Sequence, residues 1–357
     1  MSSTAIVHVI GTGTIGEPLI GLLCGLKQPL GIEEVTFHKR TPLLTDRSKV
    51  LSLMKRGARL CVDDSATKGF QDLGMEPTFE TREAIERAAV VIDCTPSGVG
   101  TQNKAEYYEK YTNNTLGFLA QGSEFGFGKP YARGINDKAL KRGEDQYVQI
   151  VSCNTHNLSI LIDTLALLDG GPENLVEGRF VCMRRSNDVS QESGFVPSPQ
   201  VGTHKDSRFG THHARDAWHL FNTMGYDLPL FSTAIKINTQ YMHTIFFDIR
   251  VKNATDKDRL LEAIHSNPRM AVTHKKSANS VFSFGRDHGY FGRILNVTVI
   301  STPTLTVRKD NEICGYCFTP QDGNSLLSSV AAATWFLYPD DYEDRVQCLQ
   351  DYFYDEV

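Results

Sequence analysis

Short apolar runs alternate with amphipathic stretches through the first third of the chain. Ala5 to Ile10 is a strand-like run that ends in Gly11-Thr12-Gly13-Thr14-Ile15-Gly16. A helical pattern follows to about Leu26, with Pro18 in its first turn, where a missing N–H costs little. Val35 to His38, Ala88 to Cys94, Leu116 to Ala120 and Tyr147 to Val151 repeat the strand pattern, and Thr95-Pro96-Ser97-Gly98 and Gln121-Gly122 supply stops. Strands that alternate with helices predict a parallel sheet covered on both faces.

From Cys153 the periodicity changes. Leu158, Leu161, Ile162, Leu165 and Leu168 recur at helical spacing until Gly170-Gly171-Pro172. Long strand-like runs then cover Gly178 to Arg185, Thr233 to Ile237, His243 to Val251 and Arg293 to Ile300. Thr304 to Arg308 and Glu312 to Phe318 read as a hairpin turning at Asp310-Asn311. Asp256 to His265 and Ser325 to Phe336 read as helices, and Val189 to Phe209 as an extended loop. The predicted class is α/β. A Rossmann-type parallel sheet spans residues 1–152 and is completed by a C-terminal helix at about 322–357. A second α+β domain, on a mixed or antiparallel sheet, spans 153–321.

Composition narrows the partners. With 357 residues, 40% hydrophobic, 22% charged and a net charge of -5, the chain reads as a soluble two-domain protein with no nucleic-acid surface. No apolar run approaches the roughly 20 residues that span a bilayer, so no membrane partner is expected. No basic segment precedes the first apolar stretch, and eight cysteines lack regular spacing; both favour reduced thiols in the cytoplasm. No metal is expected, because Cys314 and Cys317, three apart on a strand, face opposite sides.

The glycine run carries the first chemistry. Between a strand and a helix, Gly11 permits the tight turn, Gly13 lets backbone approach a pyrophosphate, and Gly16 allows close helix–sheet packing. The acidic residue that would bind a ribose 2′-hydroxyl is missing from the end of the second strand. His38-Lys39-Arg40-Thr41-Pro42 stands there, and its cations and hydroxyl suit a 2′-phosphate. NADP is therefore the preferred cofactor, with NAD use left open.

Ser152-Cys153-Asn154-Thr155 carries the second. A cysteine at a strand-to-helix turn meets outward-pointing N–H groups that favour the thiolate. Such a thiolate can add to an aldehyde beside a nicotinamide and give a thioester after hydride loss. The alternative is a buried structural thiol. A base is also needed, and His243, at the head of an apolar strand, and His212-His213, in a polar stretch, are the candidates.

Taken together, these segments resemble the archaeal-type (type II) phosphorylating glyceraldehyde-3-phosphate dehydrogenases over nearly the whole chain. The similar segments are the glycine opening, Lys39-Arg40-Thr41-Pro42, Asp93 to Gly100 with Asn103-Lys104, Gln121-Gly122 and Ser152 to Thr155. Arg184-Arg185 with Asp188, Thr211-His212-His213 with Asp216, Met242-His243, and Gly292-Arg293 with Asn296 extend the match. The resemblance implies Cys153 as nucleophile, His243 as base and Asn154 as oxyanion partner. It implies Thr14, Ile15, Thr95, Pro96, Gly98, Gln121, Gly122 and Asn296 at the cofactor, beside the glycines and Lys39, Arg40 and Thr41. Thr155, Arg184, Arg185 and His213 would hold the phosphates of a phosphorylated aldehyde and of inorganic phosphate. A homotetramer is implied too. His156 and Asn157 depart from the family's Thr and Gly near the phosphate site, and His243 stands where the family has paired histidines. A semialdehyde dehydrogenase of the same plan and a non-catalytic NADP-binding redox sensor remain the alternatives.

Overall fold

The computed structural model describes residues 4–122, 124–168, 170–320 and 322–357. The chain divides into two compact units. The first comprises residues 1–133, 140–150 and 325–350; the second comprises 134–139, 151–324 and 351–357. Gln321, which closes the expected second domain, lies outside the described residues.

The first unit is built on eight parallel strands: β1 (Ile6–Ile10), β2 (Glu34–His38), β3 (Arg59–Val62), β4 (Phe79–Glu80), β5 (Val90–Asp93), β6 (Gly117–Gln121), β7 (Lys129–Tyr131) and β8 (Tyr147–Ile150). Their order is β4-β3-β2-β1-β5-β6-β8-β7. The order reverses between β1 and β5, so the turns that leave these two strands open a crevice at the carboxyl edge of the sheet. The central strands are buried on both faces, as an all-parallel sheet requires. The helix Gly323–Leu337 contributes Phe336, whose ring lies where a side chain on Gly117 would have to go. That contact explains a glycine at the head of β6. The sequence pattern missed β3, β4 and β7, which are too short to show a period.

The second unit holds β9 (Leu175–Arg184), β10 (Gln200–Val201), β11 (Leu230–Lys236), β12 (His243–Val251), β13 (Met270–Thr273), β14 (Thr298–Ser301), β15 (Thr306–Arg308) and β16 (Glu312–Thr319). The sheet is mixed, in the order β10-β11-β9-β12-β16-β14-β13, with β15 paired to β16. Parallel pairs join β11 to β9 and β13 to β14; the other pairs are antiparallel. Along β12 the alternate residues Ile245, Phe247, Ile249 and Val251 are buried. They share a face with His243, because side chains repeat every second residue. The expected β-run from Arg293 to Ile300 is corrected to Thr298–Ser301. Before it, Leu295 N donates to Tyr352 O and the Asn296 amide holds the backbone of Tyr354, so the chain tail takes the place of a neighbouring strand. The hairpin turn is made by Lys309 and Asp310, both at positive φ.

Candidate active site

In the first unit the glycine turn matches its sequence logic. Gly11 has φ +96, and its N–H donates to His38 O at 3.2 Å. A Cβ on Gly16 would stand 2.0 Å from Gly11 O, whereas one on Gly13 would meet nothing within 4 Å. The turn is thus tight where the chain folds on itself and open where a pyrophosphate needs room, so these residues fit a dinucleotide. The helix Gly16–Gly25 has Ile15 at its N-cap position, preceded by Thr14, and no side-chain cap, which leaves its positive end facing the turn.

Two buried carboxylates shape the neighbouring loop. Asp93 accepts hydrogen bonds from Thr95 N at 2.9 Å, Thr95 Oγ1, Asn103 Nδ2 at 2.8 Å and Tyr108 OH at 2.5 Å. Glu124 accepts from Gly98 N, from Thr101 N at 3.1 Å and from Thr101 Oγ1 at 2.9 Å. Thr95, Pro96 and Gly98 are therefore set by Asp93 from one side and Glu124 from the other. Gln121 donates to Ser329 Oγ at 2.7 Å, and Gly122 N donates to Ile150 O at 2.8 Å. Sequence reading passed over Glu124. A carboxylate two residues after Gln121-Gly122 was its one visible signal. Lys39 is half-buried, while Arg40 and Thr41 are exposed.

In the second unit the helix Cys153–Ile162 starts on the predicted nucleophile. Ser152 caps it, accepting from Thr155 N at 3.4 Å, and its hydroxyl lies 2.8 Å from Thr155 Oγ1. Thr155, expected on phosphate, is thereby fully buried and engaged with the cap. Asn154 and Asn157 turn inward: Thr319 Oγ1 donates to Asn154 Oδ1 at 3.4 Å and accepts from Asn157 Nδ2 at 2.8 Å. His156 is buried with Nδ1 3.1 Å from Ser152 O, and burial lowers its pKa to about 4. The two departures from the resembled motif thus fasten the helix to β16 and to its own cap. Asn324 Nδ2 donates to Cys153 O at 3.0 Å and steadies the turn from the far side.

Thr319 lies opposite His243 in the β12–β16 register, so His243 shares the sheet face on which the Cys153 helix sits. Arg185 N donates to His243 Nδ1 at 3.1 Å. That bond leaves the ring hydrogen of a neutral imidazole on Nε2. Neutral it is: burial, then Arg185 and Arg184, push its pKa well below the ordinary value. His213 is also driven neutral, by burial, His212 and Arg184, and both its ring nitrogens are buried with no hydrogen-bond partner. Arg184 is exposed at the end of β9. The Arg185 guanidinium is instead engaged with Asp188 at 3.1 Å and Asp322 at 3.2 Å. Asn296, assigned to the cofactor by resemblance, is fully buried with its amide held by Pro268 O, Tyr354 O and Tyr354 N. Asp322, Asn324 and Thr319 escaped sequence reading, since nothing local marks a residue that acts from a distant strand end.

The thiol itself departs from expectation. Burial, and secondarily Asp322, push Cys153 up to about 11, against the opposing charges of Arg185 and Arg184 and the N–H of Asn154. The helix end alone does not make a thiolate here. Without ligands, iodoacetamide labelling of Cys153 should therefore quicken about tenfold per pH unit from neutrality to about pH 9. A plateau by pH 8 in peptide-resolved labelling would contradict this.

No family model matches the chain. It is similar to archaeal proteins named glyceraldehyde-3-phosphate dehydrogenase. That of Metallosphaera sedula is 28% identical over 320 residues, covering 86% of this chain and 85% of the relative. Those of Pyrobaculum arsenaticum and Saccharolobus solfataricus are 25% and 26% identical over 297 and 279 residues. They cover 79% and 76% of this chain, and 78% and 73% of the relatives.

Proposed function

We propose that this protein oxidises glyceraldehyde 3-phosphate to 1,3-bisphosphoglycerate, and catalyses the reverse, with NADP preferred over NAD. The observation that carries the reading is Cys153 at the first turn of a helix, with neutral His243 on the sheet face beneath it and Arg184 at the adjoining strand end. The same chain carries a glycine turn fit for a dinucleotide and aligns over most of its length with proteins of that name.

In the proposed reaction the Cys153 thiol gives its proton to solvent and the sulfur adds to the aldehyde carbon. Nε2–H of His243 donates to the resulting oxyanion, in keeping with the tautomer that Arg185 N imposes. An oxidised nicotinamide held at the glycine turn would supply the hydride acceptor, and loss of that hydride would leave a thioester on Cys153. Inorganic phosphate attacks that carbonyl carbon, the C–S bond breaks, and the Cys153 thiolate is released. His243 acts as base only if the Arg185 bond opens and frees the ring to shift its hydrogen.

Arg184 and His213 are the phosphate ligands in this scheme. A buried imidazole with two unpartnered nitrogens costs about 1–3 kcal/mol until something polar meets it, and a phosphate oxygen is such a group. A homotetramer in the cytoplasm belongs to the same proposal; among the described residues no helix is long and apolar enough to cross a membrane. The deciding assay follows nucleotide reduction with glyceraldehyde 3-phosphate, with and without phosphate, using NAD and NADP in parallel and aspartate semialdehyde as the competing substrate. Phosphate-dependent reduction with the triose is the expected result. Turnover of the semialdehyde alone, or of neither, overturns the proposal.

A further inference from the structure

Beside the glycine turn stands a charge cluster that joins Lys39 to two residues the cofactor reading does not use, Asp46 and Lys49. Asp46 lies at the N-cap position of the helix Arg47–Lys55, where an aspartate ordinarily accepts from the helix's own N–H groups. It makes no such bond. Its carboxylate is turned to two lysines instead: Lys39 Nζ at 2.6 Å and Lys49 Nζ at 3.2 Å. All three side chains are largely covered, at 16%, 28% and 22% exposure for Lys39, Lys49 and Asp46, so solvent screens them less than a surface pair.

The cluster brackets the turn. Lys39 follows His38, whose carbonyl holds Gly11 N, and Lys49 Nζ donates to Thr12 O at 3.3 Å. Two cations thus flank the glycine turn at the end of β2, where the adenosine ribose of a dinucleotide is recognised. The lysines' shared partner is an anion fixed in the protein. Hydrogen bonds from Lys39, and then Lys49, hold the Asp46 carboxyl below the usual carboxylate range, so it is ionised at neutral pH.

We propose that Asp46 is a built-in counter-ion for the 2′-phosphate and sets the balance between NADP and NAD. With NADP, the 2′-phosphate competes with the Asp46 carboxylate for Lys39 and Lys49 and is repelled by it. With NAD, Asp46 stays paired to the lysines, offsetting one of their two charges, and supplies the carboxylate acceptor for the 2′-hydroxyl that the end of β2 lacks. The inference rests on the dinucleotide reading above and adds to it a specificity residue outside the Lys39-Arg40-Thr41 segment.

The test is calorimetric binding of NADP, NAD, 2′-AMP and 5′-AMP to the full chain and to its Asp46→Asn and Lys49→Met variants, needing no turnover. For Asp46→Asn, NADP and 2′-AMP should bind about tenfold more tightly and NAD a few-fold more weakly, with the gain shrinking as salt rises. Lys49→Met should weaken NADP and 2′-AMP and leave NAD and 5′-AMP within twofold. An NADP-to-NAD affinity ratio unchanged within twofold in Asp46→Asn, in a variant that melts like the parent, overturns the inference while leaving the dinucleotide reading intact. Should Asp46→Asn fail to fold, an unchanged ratio in Lys49→Met overturns it equally. If the parent chain binds neither dinucleotide, the reading beneath it fails first.

Discussion

Replacing Cys153 by serine is expected to lower aldehyde oxidation by at least about a thousandfold while dinucleotide affinity changes less than twofold. The size follows from the chemistry assigned to the sulfur. A hydroxyl in the same place has a much higher pKa than a thiol, and the surroundings that hinder a thiolate, burial and the carboxylate of Asp322, hinder an alkoxide more. The serine ester that would replace the thioester is also a poorer acyl donor to phosphate. The fold should survive, because Ser152 caps the helix and Asn324 binds the carbonyl of residue 153, neither of which involves the sulfur. Measurement pairs turnover of glyceraldehyde 3-phosphate with calorimetric binding of NADP and NAD. More than a tenth of the parent activity in the serine variant would remove Cys153 from the reaction. Loss of nucleotide binding alongside activity would instead indicate a folding defect.

What the sequence disclosed divides along physical lines. The parallel sheet was legible because β1, β5 and β6 are apolar runs closed by glycine or proline turns. The second sheet was legible where strands are long: β12 runs for nine residues and β16 for eight. Arg293 to Val297 misled the reading because a buried, tail-clasped segment is as apolar as a strand, and composition does not distinguish the two. At the site, Cys153 was marked by a strand-to-helix turn with polar neighbours. Its pKa was not, since that depends first on burial and then on Asp322, which lies far along the chain. Likewise motif logic found Lys39 beside the glycine turn but not its ion-pair partners Asp46 and Lys49, which the following helix brings back to it. Motifs revealed residues that act within one turn. Partners supplied by other elements became visible only with the coordinates.

Arg185→Met is the substitution expected to cost most in stability, at about 3–5 kcal/mol. Its guanidinium joins Asp188 and Asp322, and the three side chains are only 12%, 5% and 9% exposed. Methionine fills a similar volume but leaves two carboxylates facing each other in a poorly hydrated space. The parent's advantage should depend on pH in a definite sense. Burial would raise the Asp188 carboxyl, but the backbone and hydroxyl of Ser190 together with Arg185 outweigh it and hold the group below its ordinary pKa. A carboxylate with a depressed folded pKa stabilises fully above its unfolded pKa of about 4 and loses that contribution as pH falls through the folded value. The gap between parent and variant should thus be flat from about pH 6 to 8 and narrow below about pH 4. Adding Asp322→Asn to Arg185→Met should recover part of the loss, since one of the stranded charges is then removed. Urea denaturation of the parent, the single variant and the double variant at several pH values reads all of this. A loss under about 1 kcal/mol at pH 7 would place Arg185 among ordinary surface pairs.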